Sequence, residues 1–322
     1  MLAPELTLLR PRSLAEAAEL AADPLARVIA GGTALLPNIG LGVEAPRALV
    51  SLERLAELKT IEFSEDAIRI GAGVSLQRLC DAEGIPPALE EAARSVGAPG
   101  HRAAATLGGN LCLDTRCLYY NQSEHWRRSN GHCLKRGGDL CHVAPRGSVC
   151  RAAFSGDLAP ALLALEAEVE IVAPAGRKAF SLEQLYRDDG ANYLTLRAGD
   201  IVTAVRVPRR EVRSGYAKAR RRAAIDFPLA GVAIALAVEE GRLARLRVAL
   251  TGTNPMPLVV KGAEELVGAE PGLAAETRLG KLVEKQVKPL RTTIGAADYR
   301  RQVAVVLARR LLARLTTQGG SQ

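Results

Sequence analysis

The chain has 322 residues, enough for two or three domains around a sizeable core, with no need of cross-links. Hydrophobic residues make up 48 % and charged residues 24 %, an ordinary globular balance, while aromatics at 3 % are too few for a base-stacking nucleic-acid surface. The net charge of +8 has visible clusters at 125–128 (HWRR) and 218–222 (KARRR), which read either as solvated surface or as docking ground for an acidic partner.

The N-terminal MLAPELTLLRPRSLAEAAEL has no basic region followed by an apolar run, and no later stretch approaches 18 uninterrupted apolar residues. These features predict a cytoplasmic protein without membrane spans. In a reducing compartment, clustered cysteines point to metal binding or redox chemistry rather than disulfides.

In chain order, ELTLL (5–9) predicts a short strand, and Ser13 with Glu16 a capping box ahead of the helix LAEAAELAAD. ARVIAGGTALLPNIG predicts an apolar strand running into Gly31-Gly32, where bare backbone N–H groups can face an anion. The spacing is neither G-x-G-x-x-G nor a P-loop, and a glycine pair after a strand is also simply a turn. A hairpin follows at 61–73 around Ser64-Glu65-Asp66, then a proline-initiated helix in PPALEEAARSVGA and a second glycine-rich loop, Thr106 to Asn110 (TLGGN).

Residues 116–150 hold four of the six cysteines and three of the four histidines. The spacing is C-x15-C-x7-C-x8-C for Cys117, Cys133, Cys141 and Cys150, without the close pairs of structural zinc sites. Four thiolates on a long loop can hold a [4Fe-4S] cluster, a zinc ion or nothing, and spacing alone leaves the three open. Cys80 reads as a small buried apolar residue and Cys112 as a conceivable substitute ligand. His125, His132 and His142 read as surface groups or as donors around the cysteines.

Beyond this stretch SGDLAPALLALEAEVEIVAP predicts a helix and a strand, with Asp157 placed to cap the helix, and GDIVTAVRVP a strand closed by Pro208. A boundary is expected near 209–215. AGVAIALAVEEGRLARLRVALTG then predicts a hairpin turning near Glu240-Gly241. The last helix carries Val303, Val306, Leu307 and Leu311 at helical spacing, and TTQGGSQ reads as a disordered end.

Six segments in order, VIAGGTALLP, VGAPGHRAAATLGGN, SGDLAPALLALEA, LTLRAGDIVTAVRVP, YAKARRR and DYRRQVAVVLARR, resemble the flavin subunits of the xanthine oxidase and carbon monoxide dehydrogenase family of molybdenum enzymes. The resemblance implies an α+β fold: a PCMH-type FAD-binding domain of two α/β subdomains over 1–210, and a CO dehydrogenase flavoprotein-like C-terminal domain over 215–318. It implies FAD contacts at Ile29, Ala30, Gly31, Gly32, Thr33, Ala34 and Leu35, at Thr106, Leu107, Gly108, Gly109 and Asn110, and at Asp157, Leu196 and Lys218. Lys218 would set a positive charge near the flavin ring, or is one of several surface cations. Ala34 stands where several relatives carry a polar side chain.

Asn110 and Asp157 stand 47 positions apart, far more than in most relatives, which implies an insertion at about 113–151. It resembles the four-cysteine insertion of a reductive branch of the family, and so implies an added [4Fe-4S] cluster on Cys117, Cys133, Cys141 and Cys150. That branch implies an oxidoreductase subunit with no catalytic residues of its own. Its partners would be a molybdenum large subunit and a [2Fe-2S] small subunit in a heterohexamer, fed by ferredoxin, with no nucleic acid and no membrane. The basic HWRR and LKRGG segments would attract an acidic ferredoxin. The competing expectation is an oxidative molybdenum hydroxylase subunit whose loop binds structural metal or makes a subunit contact.

Overall fold

The computed structural model describes residues 6–317, and its first element is a parallel β-α-β unit. Strands β1 (Thr7–Leu9), β2 (Ala26–Ile29) and β3 (Ala48–Ser51) lie in the order β1-β3-β2. Glu5 of the expected first strand lies outside the described residues. Helix α1 (Leu14–Ala21) starts where Ser13 Oγ accepts from Glu16 N at 3.2 Å. Glu16 reaches back to Arg12 N, one residue earlier than a capping box requires. After β2 the glycine pair runs into a short helix, α2 (Leu35–Gly40).

The second sheet is antiparallel. It contains β4 (Ile61–Phe63), β5 (Ala67–Gly71), β6 (Glu168–Ala173), β7 (Gly176–Ser181) and β8 (Ile201–Pro208), in the order β4-β5-β8-β6-β7. The 61–73 hairpin pairs as its alternation predicts, Ile61 facing Ile70. Between β5 and β6 the chain makes α3 (Leu76–Asp81), α4 (Pro87–Arg94), α5 (Pro99–Ala104), α6 (Leu107–Leu111), α7 (Glu124–Ser129) and α8 (Leu158–Ala164). Proline at the first position of α4 fits a place where the missing N–H has no partner to lose.

The third sheet, β9 (Arg213–Ala219), β10 (Ala230–Glu239), β11 (Arg242–Thr251) and β12 (Leu258–Val259), is antiparallel in the order β12-β11-β10-β9. Strand β10 is buried on both faces and sorts its side chains by size. Val232, Ile234 and Leu236 join the core beneath α9 (Leu273–Gln286) and α10 (Ala297–Thr317), while Ala233 and Ala235 face the core that contains α4 and α8. Small residues let those helices approach closely, and the large ones fill the opposite layer.

The stripe expected on α10 needs correction at Val306. Leu311 is buried and Val303 and Leu307 are half-buried against the same core, while Val306 is exposed; Ala304, Ala308, Leu312 and Leu315 complete the buried face. At the start of the helix Arg300 is buried, its guanidinium bonding the carbonyls of Leu229, Leu290 and Gly252 and the hydroxyl of Thr292. Of the expected disordered end, Thr316 and Thr317 are helical, and 318–322 lie outside the described residues. Among the described residues no helix is long and apolar enough to cross a membrane.

Candidate functional site

A cleft of about 730 Å³ runs between the first β-α-β unit, α6 and the β9–β10 loop. All seven residues from Ile29 to Leu35 line it, with Thr106, Gly109, Asn110 and Asp157. Gly31 is required by a close approach: a Cβ there would stand 1.8 Å from the Ala104 carbonyl oxygen. Gly32 holds φ at +69°, a backbone region that disfavours other residues. Ala34, at the head of α2, offers no side-chain hydrogen bond.

The second glycine segment divides its work. Thr106 Oγ1 accepts from Gly109 N at 3.1 Å, and Asn110 Oδ1 accepts from Leu158 N at 3.0 Å, which ties α6 to the start of α8. Leu107 and Gly108 do not line the cleft. Leu107 is fully buried, and Gly108 packs on Ala72, where a Cβ would meet the Ala72 Cβ at 2.8 Å. Leu196 is also away from the cleft, in a separate depression with Ile171 and Phe180.

Asp157 heads α8 but makes no capping hydrogen bond; the third position of the helix is Pro160, without an N–H, and Asn110 takes the Leu158 N–H. Its carboxylate accepts from Tyr216 Oη at 2.6 Å and from Lys218 Nζ at 2.9 Å. Burial pushes the Asp157 carboxyl up, and Lys218 and Tyr216 pull it back. Lys218 also donates to Ser95 O and is not among the residues lining the cleft. Its ammonium is paired with Asp157, which itself lines the cleft.

Residues 113–151 form one wall of the same cleft: Leu113, Asp114, Arg116, Tyr120 and Lys135 line it. Sequence reasoning treated this segment as a separate cysteine loop and missed them. The antiparallel bridge Arg116–Ala153, with N···O distances of 2.7 and 2.8 Å, is the local signal of extended backbone there. Successive side chains point to opposite sides of such a strand, so Arg116 enters the cleft and Cys117 does not.

Cys117, Cys133, Cys141 and Cys150 instead line one small void of about 10 Å³, the size of a water molecule. Cys117, Cys141 and Cys150 are buried, and none of the six cysteines is in a disulfide. Burial pushes the Cys117 thiol up, and the Cys150 thiol up to about 11 although Lys135 draws it down. Such groups become thiolates when a cation displaces their protons. Among the described residues no three Cys, His, Asp or Glu side chains form a group that could hold a single metal ion. Thiolates on one zinc would stand about 3.8 Å apart by tetrahedral geometry. Four thiols are the donor set of a zinc ion or of a multi-iron group, and a void of about 10 Å³ would have to widen to seat either.

Cys112 lines the cleft and not the void, and burial pushes its thiol up to about 12. Cys80 is buried in the main core. His142 stacks on Tyr119 and places Nε2 at 3.1 Å from the His132 carbonyl, His132 Nε2 lies 3.2 Å from Glu124 Oε1, and His125 is exposed. Two of the cations expected to attract a partner are interior. Arg127 is 1 % exposed and donates to the carbonyls of Tyr120, Gln122 and Gly42 and to Glu124, and the Lys135 ammonium bonds Asp114 at 2.5 Å. Arg128 and Arg146 are exposed.

Residues 4–210 match the family described as the FAD binding domain in molybdopterin dehydrogenase, and residues 214–315 the CO dehydrogenase flavoprotein C-terminal domain. The chain is 32 % identical to the aldehyde oxidoreductase FAD-binding subunit PaoB of Escherichia coli K12 over 75 % of this chain and 79 % of that protein. It is 25 % identical to the nicotine 6-hydroxylase medium subunit of Paenarthrobacter nicotinovorans, over 94 % of each. In fold it resembles a chain of the reconstituted CO dehydrogenase from Oligotropha carboxidovorans, with a TM-score of 0.81 at 23 % identity over 99 % of this chain and 100 % of that one.

Proposed function

The chain belongs to the FAD-binding subunits of the molybdopterin dehydrogenases, and on that premise we propose that it carries electrons between FAD in the cleft and a [4Fe-4S] cluster on Cys117, Cys133, Cys141 and Cys150. The observation that carries this reading is a shared wall: Tyr120 and Lys135 line both the cleft and the cysteine void. The two carriers would then be separated by one layer of side chains. The Gly31–Gly32 backbone and the Thr106–Asn110 segment would hold the nucleotide, with Asp157, fixed by Tyr216 and Lys218, accepting from it. When bound, the flavin exchanges one or two electrons and the cluster one, while the protein orders them and tunes their potentials.

The finer assignment is the β subunit of 4-hydroxybenzoyl-CoA reductase. With a molybdenum large subunit and a [2Fe-2S] small subunit, in a heterohexamer of two such units, it would take electrons from reduced ferredoxin. Two electrons and two protons replace the phenolic hydroxyl of 4-hydroxybenzoyl-CoA by hydrogen, giving benzoyl-CoA and water. The four-cysteine insertion supports this assignment. The exposed Arg128 and Arg146 would face an acidic donor.

The 32 % identity to an aldehyde oxidoreductase subunit favours a second reading, an oxidative molybdenum hydroxylase in which electrons leave through the flavin. Iron and zinc per flavin, measured on the subunit purified without oxygen, test the cluster. About four iron atoms per FAD support it, and zinc or no metal with FAD retained sinks it. Turnover of the assembled enzyme separates the two directions: reduced ferredoxin with 4-hydroxybenzoyl-CoA against an aldehyde with an oxidised acceptor.

A further inference from the structure

Two buried arginines and one half-buried one behave differently. Arg127 and Arg300 each have their guanidinium nitrogens answered by several acceptors, as burial of a charge demands. Arg116 does not. Its Nε is buried without a hydrogen-bond partner, and among the described residues its side chain makes one hydrogen bond, Nη1 to Asn38 Oδ1 at 3.4 Å, and no ion pair. The carboxylate two residues before it, Asp114, is held by Lys135 at 2.5 Å. Phe227 covers the guanidinium, its ring centroid 4.7 Å from Cζ, a contact with the cation's face that leaves its donors unmet.

We propose that Arg116 binds an anionic group of the flavin nucleotide directly, either the diphosphate or the N1–C2=O2 edge of the reduced ring. The side chain lines the cleft together with the Gly31–Gly32 backbone, and the two backbone hydrogen bonds to Ala153 fix the residue in place before any ligand arrives. A planar fork with empty donor positions matches a diphosphate or a flavin edge better than a point charge does. The inference rests on the reading that the cleft holds FAD. It adds that the cysteine insertion supplies the cleft's uncompensated cation, the part expected of Lys218.

The test is rebinding of FAD and riboflavin to the flavin-stripped full chain, with the flavin midpoint potential measured on the reconstituted protein, for wild type, Arg116→Gln and Arg116→Lys. Loss of a charge-assisted fork lowers FAD affinity about ten- to a hundredfold in Arg116→Gln, with partial recovery in Arg116→Lys. Weakening confined to FAD, with riboflavin unchanged, identifies the diphosphate. Equal weakening of both, with a lower midpoint potential, identifies the ring. Unchanged affinity and potential in a variant that melts cooperatively overturns the proposal. Should Arg116→Gln fail to fold, Arg116→Lys carries the test, since losing the fork at constant charge must still weaken FAD severalfold. A wild-type chain that binds no flavin would instead overturn the FAD reading itself.

Discussion

Lys218 Nζ lies 2.9 Å from Asp157 Oδ2, and both side chains are 4 % exposed. The pair joins β9 to the head of α8, so a carboxylate that lines the cleft is fixed by a strand of the third sheet. Removing one partner leaves the other charged and unpaired in the interior. Lys218→Met is therefore expected to cost about 3–5 kcal/mol in urea unfolding, and Asp157→Asn with Lys218→Met considerably less. A double-variant loss equal to the sum of the Lys218→Met and Asp157→Asn losses would show that the pair is not coupled.

Gly31→Ala places a Cβ at 1.8 Å from the Ala104 carbonyl oxygen, a backbone atom that cannot swing aside. Overpacking of this kind costs about 1–3 kcal/mol. The displaced loop should lose flavin, read as the ratio of visible to ultraviolet absorbance after purification. Retention at the wild-type ratio would mean that the loop is not part of the flavin site.

The two cysteine-lined spaces separate the roles of the thiols. Cys141→Ser should lower iron per chain, because Cys141 lines the void and not the cleft. Cys112→Ser should leave iron unchanged, because Cys112 faces the cleft. Iron loss from Cys112→Ser would make Cys112 a ligand.

How much of this was legible in the sequence differs by residue. The α8–β6 segment, the hairpin at β10–β11 and the proline-headed α4 follow from local pattern, and all three form as expected. The glycine loop at 31–32 was likewise readable, since close backbone approach needs the residue type itself. Which cation meets the cleft was not readable. Lys218 is neutralised by a residue 61 positions away, and Arg116 is left without a counter-charge by a bond between two other residues, Lys135 and Asp114. Pairing of that kind depends on tertiary placement, as does the burial of Arg300 at the head of α10.

Arg127 anchors the insertion to Gly42 through a buried guanidinium. Arg127→Met removes the donors to three carbonyls at once and should destabilise residues 118–150 by on the order of 3 kcal/mol. Hydrogen exchange should rise there and not in β10 or β11. Uniform protection across the chain would show that the anchor is dispensable.

Glu124 is held at about 2, chiefly by the Arg127 hydrogen bond and further by His132. A carboxyl with a depressed folded value contributes stability above its usual value of 4.5, and this is lost as pH falls toward 2. The single tryptophan, Trp126, sits in the same helix and reports on it. Its emission should change across that window in wild type and lose this pH dependence in Glu124→Gln.

Tyr120 and Lys135 have the cleft on one side and the cysteine void on the other. Whatever fills one space therefore braces the wall of the second, and linkage makes the support mutual: each occupant tightens the other's binding by the same factor. Oxidative or chelator-driven loss of metal should consequently appear in solution as flavin release, and a flavin-depleted preparation should give up its metal to chelators sooner than a replete one.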